Sequence, residues 1–168
     1  MYQVAKFEKI SFKQFAAAFG DRLQPEQIRR IYEDIKLPQR ATTGSAGYDF
    51  YLPQGVTILP GEQILIPTGI RVRIEEGWFL SLFPRSGLGF KFRLQLNNTV
   101  GIIDSDYYNS DNEGHIFAKL TNASVEGKTI ELAAGDGFIQ GIFQPYGITV
   151  DDRTEARRNG GFGSTSKR

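Results

Sequence analysis

Short alternations of apolar and polar residues, each bounded by glycine, proline, asparagine or aspartate, recur throughout residues 48–143. A period of two is typical of strands that bury one face, and the bounding residues favour turns. The strands predicted in this way are 48–52, 56–59, 63–66, 70–74, 78–83, 94–96, 100–103, 115–120, 128–132 and 138–143. So many short strands at this spacing predict an all-β sandwich or barrel, and 168 residues suit a single domain.

The N-terminal part of the chain follows a different pattern. After a predicted strand at 4–10, a capping box at 11–14 opens a short apolar helix over 12–19. A second helix is expected to begin near Pro25, because proline suits the first helical turn and apolar residues follow it at helical spacing. We therefore expect a helical insertion, about residues 11–37, on a β domain.

Composition excludes several classes of function. The 20 lysines and arginines nearly balance the 19 acidic residues, which argues against a nucleic-acid coat protein. The absence of cysteine excludes disulfides, thiolate metal sites and a cysteine nucleophile. The single histidine, His115, cannot form a multi-histidine metal site, although it could serve a Ser-His-Asp arrangement. No apolar run approaches the roughly 18 residues of a membrane span, so we expect a cytoplasmic protein without membrane or nucleic-acid partners.

Two segments at predicted strand ends carry polar residues that a plain β-sandwich does not need. In Ala-Gly-Tyr-Asp at 46–49, Asp49 either faces a defined side of a strand or lies in a solvated turn. In Pro-Arg-Ser-Gly-Leu-Gly at 84–89, successive backbone N–H groups can form an anion-binding concavity, to which Arg85 and Ser86 add donors. This second pattern indicates a phosphate chain, and an ordinary β-turn with an exposed arginine fits it equally well.

The segment 98–107 holds the largest group of candidate functional side chains. Apolar strand residues run directly into Asp104, so this carboxylate lies beside apolar groups, where it can orient and deprotonate a water. Tyr107 offers a flat face for a sugar, and Asn98 carries the donor and the acceptor that a base edge requires. The alternative interpretation is a β-hairpin whose Asp-Ser-Asp sequence is simply a turn.

The C-terminal segment 159–165 reads Asn-Gly-Gly-Phe-Gly-Ser-Thr. A glycine-rich end is usually frayed and without a specific role. The single aromatic residue indicates another possibility, a strip that lays Phe162 on a ring while its neighbours close over phosphates. The segment lacks the Gly-Lys-Ser/Thr spacing of a P-loop, which excludes that kind of phosphate site.

In this order, the segments resemble the motifs of the trimeric dUTP pyrophosphatase (dUTPase) family, of bacterial or phage type. The five motifs match at 46–49, 84–88, 101–107, 135–140 and 160–165. The resemblance implies an all-β, jelly-roll-like β-barrel (the dUTPase-like β-clip) over 1–158, a homotrimer with shared active sites, and a flexible tail over 159–168 that closes each site. The implied reaction is hydrolysis of dUTP to dUMP and pyrophosphate by Mg²⁺-assisted attack of water on the α-phosphorus, which keeps uracil out of DNA and supplies dUMP for thymidylate synthesis.

The resemblance also implies roles for individual residues. Asp104 would activate the water, and Asp49 would order waters around Mg²⁺, which no side chain would bind directly. The implied substrate-binding residues are Arg85, Ser86, Gly87, Asn98, Gly101, Tyr107, Gln140, Arg158, Phe162, Gly163, Ser164 and Thr165. Among two candidate arginines before the last motif, Arg158 fits better than Arg157.

The chain departs from the family pattern in three places. Gly137 stands where many members carry an arginine that pairs with the first-motif aspartate. The stretch 108–114 is longer than the common turn and has the composition of an exposed acidic loop. The helical insertion, about residues 11–37, has no counterpart in the compact members, and it would pack against the outside of the barrel or dock another protein. Two alternative functions stay open, a dCTP deaminase-related enzyme and a phage-type regulatory protein that binds a repressor.

Overall fold

A computed structural model describes residues 2–156 of the chain. The strands are β1 (Ala5–Lys9), β2 (Gln39–Arg40), β3 (Tyr48–Tyr51), β4 (Val56–Ile58), β5 (Gln63–Pro67), β6 (Ile70–Ile74), β7 (Trp78–Pro84), β8 (Leu94–Leu96), β9 (Gly101–Ile103), β10 (Phe117–Asn122), β11 (Ile130–Leu132) and β12 (Gly137–Pro145). The helices within these residues are α1 (Phe12–Ala17), α2 (Pro25–Glu33) and α3 (Ser86–Phe92), with 3₁₀ turns at Gly20–Arg22 and Ser105–Asn109.

Four antiparallel sheets make up the β part of the described chain. The largest has the order β2-β3-β12-β7-β9, the next has the order β5-β10-β8, and β1 pairs with β6 and β4 with β11. Neighbours in these sheets are mostly distant in sequence, as in β3-β12 and β7-β12. The all-β, jelly-roll-like fold predicted from the sequence is confirmed, with each long predicted strand found within a few residues of its expected position.

Alternating burial explains why these segments form strands. In β6, Ile70, Val72 and Ile74 are buried, whereas the arginines between them face outward. In the central strand β12, Phe138 and Ile139 are fully buried beside a register shift, which turns two consecutive residues into the core. Each such side chain removed from water contributes about 1.5–3 kcal/mol, so burial drives the pairing of strands that are far apart in sequence.

The helical insertion is present as α1 and α2, and its apolar side chains belong to the same buried cluster as those of the strands. Ser11 caps α1 by accepting a hydrogen bond from the Gln14 backbone N–H at 3.2 Å, and Pro25 opens α2. Phe15 of α1 is fully buried within the same apolar cluster as the strands. Gly69 has a φ of +73°, and a β-carbon there would clash with Phe15 and Ile35. This glycine therefore allows the helical insertion to pack closely on the β part of the chain.

Two local predictions were wrong. The turn expected after Pro84 is instead the start of α3, whose Gly87 and Gly89 lower helix propensity and so hide it from pattern analysis. The stretch 108–114, expected as an exposed acidic loop, is folded onto itself, with Ser110 and Gly114 buried.

His115 is fully buried, which excludes its use as a general base in a Ser-His-Asp arrangement. Its Nε2 accepts a hydrogen bond from the Gly69 backbone N–H at 3.0 Å, and its ring lies 4.1 Å from that of Phe117. Burial lowers the pKa of His115 to about 4, and the nearby Glu113 carboxylate opposes this shift only in part.

We expect the free energy of unfolding to decrease by about 3 kcal/mol as pH falls from 6.5 to 4, through His115 alone. The unfolded chain binds a proton below the usual histidine pKa, whereas the folded chain does not until pH reaches the lowered value. Urea unfolding at fixed protomer concentration, on the wild type and on His115→Gln, measures this. The variant should lose that part of the pH dependence, and an unchanged slope between pH 6.5 and 4 would contradict the assignment.

Candidate functional site

The central strand β12 brings three of the sequence motifs together. It lies between β3 and β7, and its Gln140 pairs with Asp49 on one side and with Phe83 on the other. Arg85 follows directly after β7. The motifs at 46–49, 84–88 and 135–140 are therefore neighbours in one sheet, although up to about ninety residues separate them in the chain.

Asp49 and Arg85 form an ion pair at this end of the sheet. Arg85 Nε lies 3.2 Å from Asp49 Oδ1, with 44% and 17% of the two side-chain surfaces exposed. Arg85 Nη1 also donates to the backbone oxygen of Gly137 at 3.4 Å. Because the guanidinium is half exposed, this pair adds little stability, but it fixes where the arginine lies.

Two glycines make room for the functional side chains at this site. A β-carbon on Gly137 would lie 2.6 Å from Arg85 Nη1 and 3.3 Å from its Cδ and Cζ. A β-carbon on Gly47 would lie 2.6 Å from Oε1 of Gln140. Both glycines therefore leave a slot that a polar side chain occupies. Sequence analysis missed this role, because a glycine in a strand shows that something approaches closely but not what it is.

Ser86 and Gly87 are exposed in the first turn of α3. They lie beside the Asp49–Arg85 pair because Arg85 is the N-cap of α3 and Ser86 is the next residue in the chain. Together these residues present one guanidinium, one hydroxyl and backbone N–H groups on the same edge of the sheet. These are donors suited to phosphate oxygens.

Asp104 and Tyr107 lie at the 3₁₀ turn after β9, away from the Asp49–Arg85 pair. Asp104 follows β9 as the half-buried N-cap of the 3₁₀ turn Ser105–Asn109. Tyr107 is 6% exposed, and its hydroxyl donates to the His115 backbone oxygen at 2.7 Å and accepts from Asn112 Nδ2 at 2.8 Å. Only a small part of the Tyr107 ring is thus left for a sugar to contact.

Asp104 is far from Arg85 within one chain. Ile103 pairs with Leu80 in the β7-β9 ladder, so Asp104 lies beside position 79. Arg85 lies six positions further along β7, which at about 3.3 Å per residue is roughly 20 Å away. One chain therefore brings Asp49, Arg85 and Gln140 together, and it does not bring Asp104 to them.

Asn98 and Gly101 lie at the other end of β9. Asn98 is exposed in the loop before the strand, where its backbone oxygen accepts from the Val100 N–H at 2.7 Å around Thr99, which has a φ of +66°. Gly101 is buried, and a β-carbon there would lie 3.0 Å from Cβ of Leu82. The visible role of Gly101 is thus to let β9 pack closely on β7.

The remaining predicted site residues, Arg158, Phe162, Gly163, Ser164 and Thr165, lie outside the described residues. Within residues 2–156, no group of three or more histidine, cysteine, aspartate or glutamate side chains is arranged to hold a metal ion. None of the helices in that same part of the chain has both the length and the apolar character needed to cross a bilayer.

Comparison with known proteins gives a consistent result. A family model described as dUTPase matches residues 33–166. The deoxyuridine 5'-triphosphate nucleotidohydrolase of Lactococcus lactis subsp. lactis is 42% identical over 134 residues, which span 78% of this chain and 88% of that protein. The match to the family model begins at the last residue of α2, so α1 and nearly all of α2 precede it.

Solved structures agree with these matches. The crystal structure of a dUTPase from Streptococcus mutans has a TM-score of 0.64 and 36% identity, and the alignment covers 87% of this chain and 98% of that one. A mutant dUTPase from phage phi11 of S. aureus has a TM-score of 0.63 with 20% identity over 92% of this chain and 98% of that one, which shows a shared fold. That phage structure is described as revealing the coordination of a structural Mg(II) ion.

Proposed function

This chain belongs to the dUTPase family and hydrolyses dUTP to dUMP and pyrophosphate, and from that premise we propose that Asp104 activates the attacking water. Asp104 is half buried at a strand end, directly after Ile103. A carboxylate in such a position accepts a proton from water as the water attacks phosphorus. The reaction removes dUTP, which keeps uracil out of DNA, and it produces dUMP for thymidylate synthesis.

The triphosphate is held at the edge of the large sheet by Arg85, Ser86, Gly87 and Gln140. The observation that carries this assignment is the Asp49–Arg85 ion pair, which aims a planar donor fork at the edge where Ser86 and Gly87 are exposed. Arg85 is exposed enough to exchange Asp49 for phosphate oxygens when substrate arrives.

Each active site is assembled from more than one copy of the chain, in a homotrimer. The supporting observation is the separation of roughly 20 Å between Asp104 and Arg85 along β7, since both groups must act on one triphosphate. Closed rotational symmetry repeats the same junction at each subunit boundary, so Asp104 of one subunit can face Arg85 of the next. Three identical sites result.

The nucleoside is read by residues on either side of β9. Asn98, with the loop that leads to Gly101, presents donors and acceptors to the uracil edge. Tyr107 packs against the deoxyribose with the part of its ring that stays exposed, while its internally bonded hydroxyl fixes the ring's position. A rigid aromatic surface in this place leaves little room for a ribose hydroxyl.

Mg²⁺ is the proposed cofactor, and the residues present fit it. Asp49 is a single carboxylate beside the proposed phosphate-binding residues, which suits a cation that keeps most of its waters and takes phosphate oxygens. When bound, Mg²⁺ neutralises charge on the triphosphate. Asp49 would hydrogen-bond to its waters once Arg85 has turned to the phosphates.

The C-terminal segment 159–168 completes the proposed site. Phe162 covers the uracil ring, and Gly163, Ser164 and Thr165, together with Arg158 directly before the segment, bind the phosphates as the segment closes. This proposal rests on the match of the family model, which extends to residue 166, and on the Gly-Gly-Phe-Gly-Ser-Thr sequence. The reaction is expected in the cytoplasm, with dUTP as the substrate and Mg²⁺ as the cofactor.

Pyrophosphate release from dUTP in the presence of Mg²⁺, measured beside dCTP, dTTP and UTP, tests the proposed function. We expect rapid release from dUTP alone, because the base and sugar contacts select against the other three. Ammonia release from dCTP would instead identify a deaminase. Equal rates with dUTP and UTP would contradict the role given to Tyr107, and equal rates with dUTP and dTTP would contradict that of the Asn98 loop.

Replacing Gly137 with alanine should lower kcat/KM for dUTP by about tenfold while the melting temperature changes little. The added β-carbon would meet the far end of Arg85, a flexible side chain that can move away at little cost to the fold. Arg85 would then leave both Asp49 and the phosphate position. Steady-state kinetics and thermal unfolding measure the two effects, with Gly44→Ala as the control, because a β-carbon at Gly44 meets no atom within 4 Å. Unchanged kinetics in Gly137→Ala would contradict the claim that the space at Gly137 holds Arg85 in its functional position.

A further inference from the structure

The N-terminal segment, here residues 8–37, is hydrogen-bonded to the loop 104–115, which carries Asp104 and Tyr107. The Ser11 backbone N–H donates to Glu113 Oε2 at 2.7 Å, and Ser11 Oγ donates to Glu113 Oε1 at 2.6 Å. Both oxygens of one carboxylate are therefore used on the residue that caps α1. These bonds join residues 102 positions apart in the chain, so they tie the helical insertion to residues 104–115.

A second bond joins the same two parts of the molecule. Tyr108 donates its hydroxyl proton to Glu8 Oε2 of β1 at 2.7 Å, and the Arg71 guanidinium lies 4.4 Å from the centre of the Tyr108 ring. The loop is thus held by the N-terminal segment near its start, at Tyr108, and near its end, at Glu113.

Glu113 has a backbone conformation that is unusual for a residue with a β-carbon. Its φ is +59°, in the left-handed region, which costs a residue with a β-carbon about 1–2 kcal/mol. Burial acts to raise the pKa of Glu113, but the two bonds from Ser11, with Arg71 and His115, lower it by more, so the carboxylate stays charged at neutral pH. Glutamate is a poor choice for this conformation unless its side chain is needed, and here that side chain accepts both hydrogen bonds from Ser11.

The residues between Glu113 and the proposed active site are closely packed and hydrogen-bonded to one another. Gly114 lies against the backbone of Tyr107 and Tyr108, where a β-carbon would be 2.8 Å from the Tyr107 oxygen. The Tyr107 hydroxyl in turn donates to the His115 backbone oxygen, and the Tyr107 backbone N–H donates to the Asp104 backbone oxygen at 3.2 Å. These contacts link Glu113 to Tyr107 and Asp104 through directly neighbouring residues.

We propose that Glu113 is a positioning residue that ties residues 104–115 to Ser11 of the N-terminal segment and so holds Asp104 and Tyr107 in place for the reaction. Glu113 itself need not touch substrate. The inference rests on the proposed role of Asp104, and it gives the helical insertion a function: the insertion supports the catalytic loop from outside the region that the family model matches.

Two substitutions separate the tether from the backbone conformation and from the charge. Glu113→Gly removes both bonds to Ser11 but suits a positive φ, so the fold is kept. Glu113→Gln removes the charge but can still bond to Ser11, because its Oε1 accepts from the backbone N–H and its amide donates to Oγ. We expect Glu113→Gly to lower kcat about tenfold with a smaller change in KM, and Glu113→Gln to stay within about twofold of wild type.

The assay includes two further variants. Ile130→Val is matched for loss of stability, since Ile130 is fully buried on β11, which pairs with β4, and such a change costs about 0.5–1.5 kcal/mol. Its kcat should equal that of wild type. Asp104→Asn must be far less active than wild type in the same assay; if it is not, the role proposed for Asp104 is wrong, and the hydrogen-exchange measurement alone then tests whether Glu113 holds the loop.

Hydrogen exchange of the backbone amides gives a measurement that does not depend on activity. Glu113→Gly should raise exchange across residues 104–115 and leave the β7 amides unchanged, whereas Ile130→Val should not change the loop. Given an impaired Asp104→Asn, two results would overturn the proposal: a kcat for Glu113→Gly equal to that of Ile130→Val, or a loss in Glu113→Gln as large as in Glu113→Gly.

Discussion

Replacing Asp104 with asparagine is expected to lower kcat by about 10²–10⁴, with a much smaller change in KM, because a general base acts mainly in the transition state. Asparagine keeps the size and the hydrogen-bonding reach of the side chain, and it cannot accept the proton of the attacking water. Asp104 is the N-cap of the 3₁₀ turn Ser105–Asn109, a position that asparagine suits as well as aspartate, and thermal unfolding of the variant checks that the fold is kept.

Steady-state pyrophosphate release over a range of dUTP concentrations measures this effect. Asp21→Asn is the control, since Asp21 is an exposed aspartate of the 3₁₀ turn Gly20–Arg22, outside the loop that carries Asp104, and its kcat should stay close to wild type. A rise in KM alone for Asp104→Asn would assign that residue to binding, and an unchanged kcat would remove it from the mechanism.

Replacing Arg85 with alanine is expected to lower kcat/KM by about 10²–10³, the usual effect of removing a charged donor from a developing negative charge. Arg85 contacts Asp49 and the Gly137 backbone through two different nitrogens, which defines the plane of its guanidinium. Arg85→Lys keeps the charge and loses the planar fork, so its activity should lie between those of Arg85→Ala and wild type.

The control for Arg85 is Lys91→Ala, which removes an exposed cation from the same helix, α3. Its kcat/KM should match wild type within the experimental error. If Arg85→Lys were fully active, the site would need only a positive charge near the phosphates, and the geometric argument from Gly137 would be wrong.

The strands were predictable because each buries one face. In β6 the alternation of buried isoleucine and valine with outward arginine appears directly in the sequence, and the predicted range 70–74 is the observed one. The helices α1 and α2 were predictable from their first turns, where Ser11 and Pro25 give local signals. Local chemistry and burial pattern thus account for most of the fold.

The arrangement of the site depended on contacts that no local pattern contains. The Asp49–Arg85 pair links β3 to the end of β7 across the intervening strand β12. Arg85 has room there because Gly137 has no side chain. The compact loop 108–114 has a polar composition, and its order comes from the bonds of Asn112 to Tyr107 and Gly114 and of Glu113 to the distant Ser11. Sequence motifs therefore indicated which residues belong to the site and left their geometry open.

The most direct test of a site shared between subunits is to mix two inactive variants. Asp104→Asn and Arg85→Ala chains are combined in equal amounts, unfolded and refolded together, and the hetero-oligomers are isolated through different tags. If each site takes Asp104 from one subunit and Arg85 from its neighbour, one of the three sites in every hetero-trimer has both residues intact, so the isolated hetero-trimers should show about a third of wild-type activity. Hetero-oligomers confirmed by mass spectrometry that are no more active than their parents would contradict the shared site and place both residues' actions within one chain.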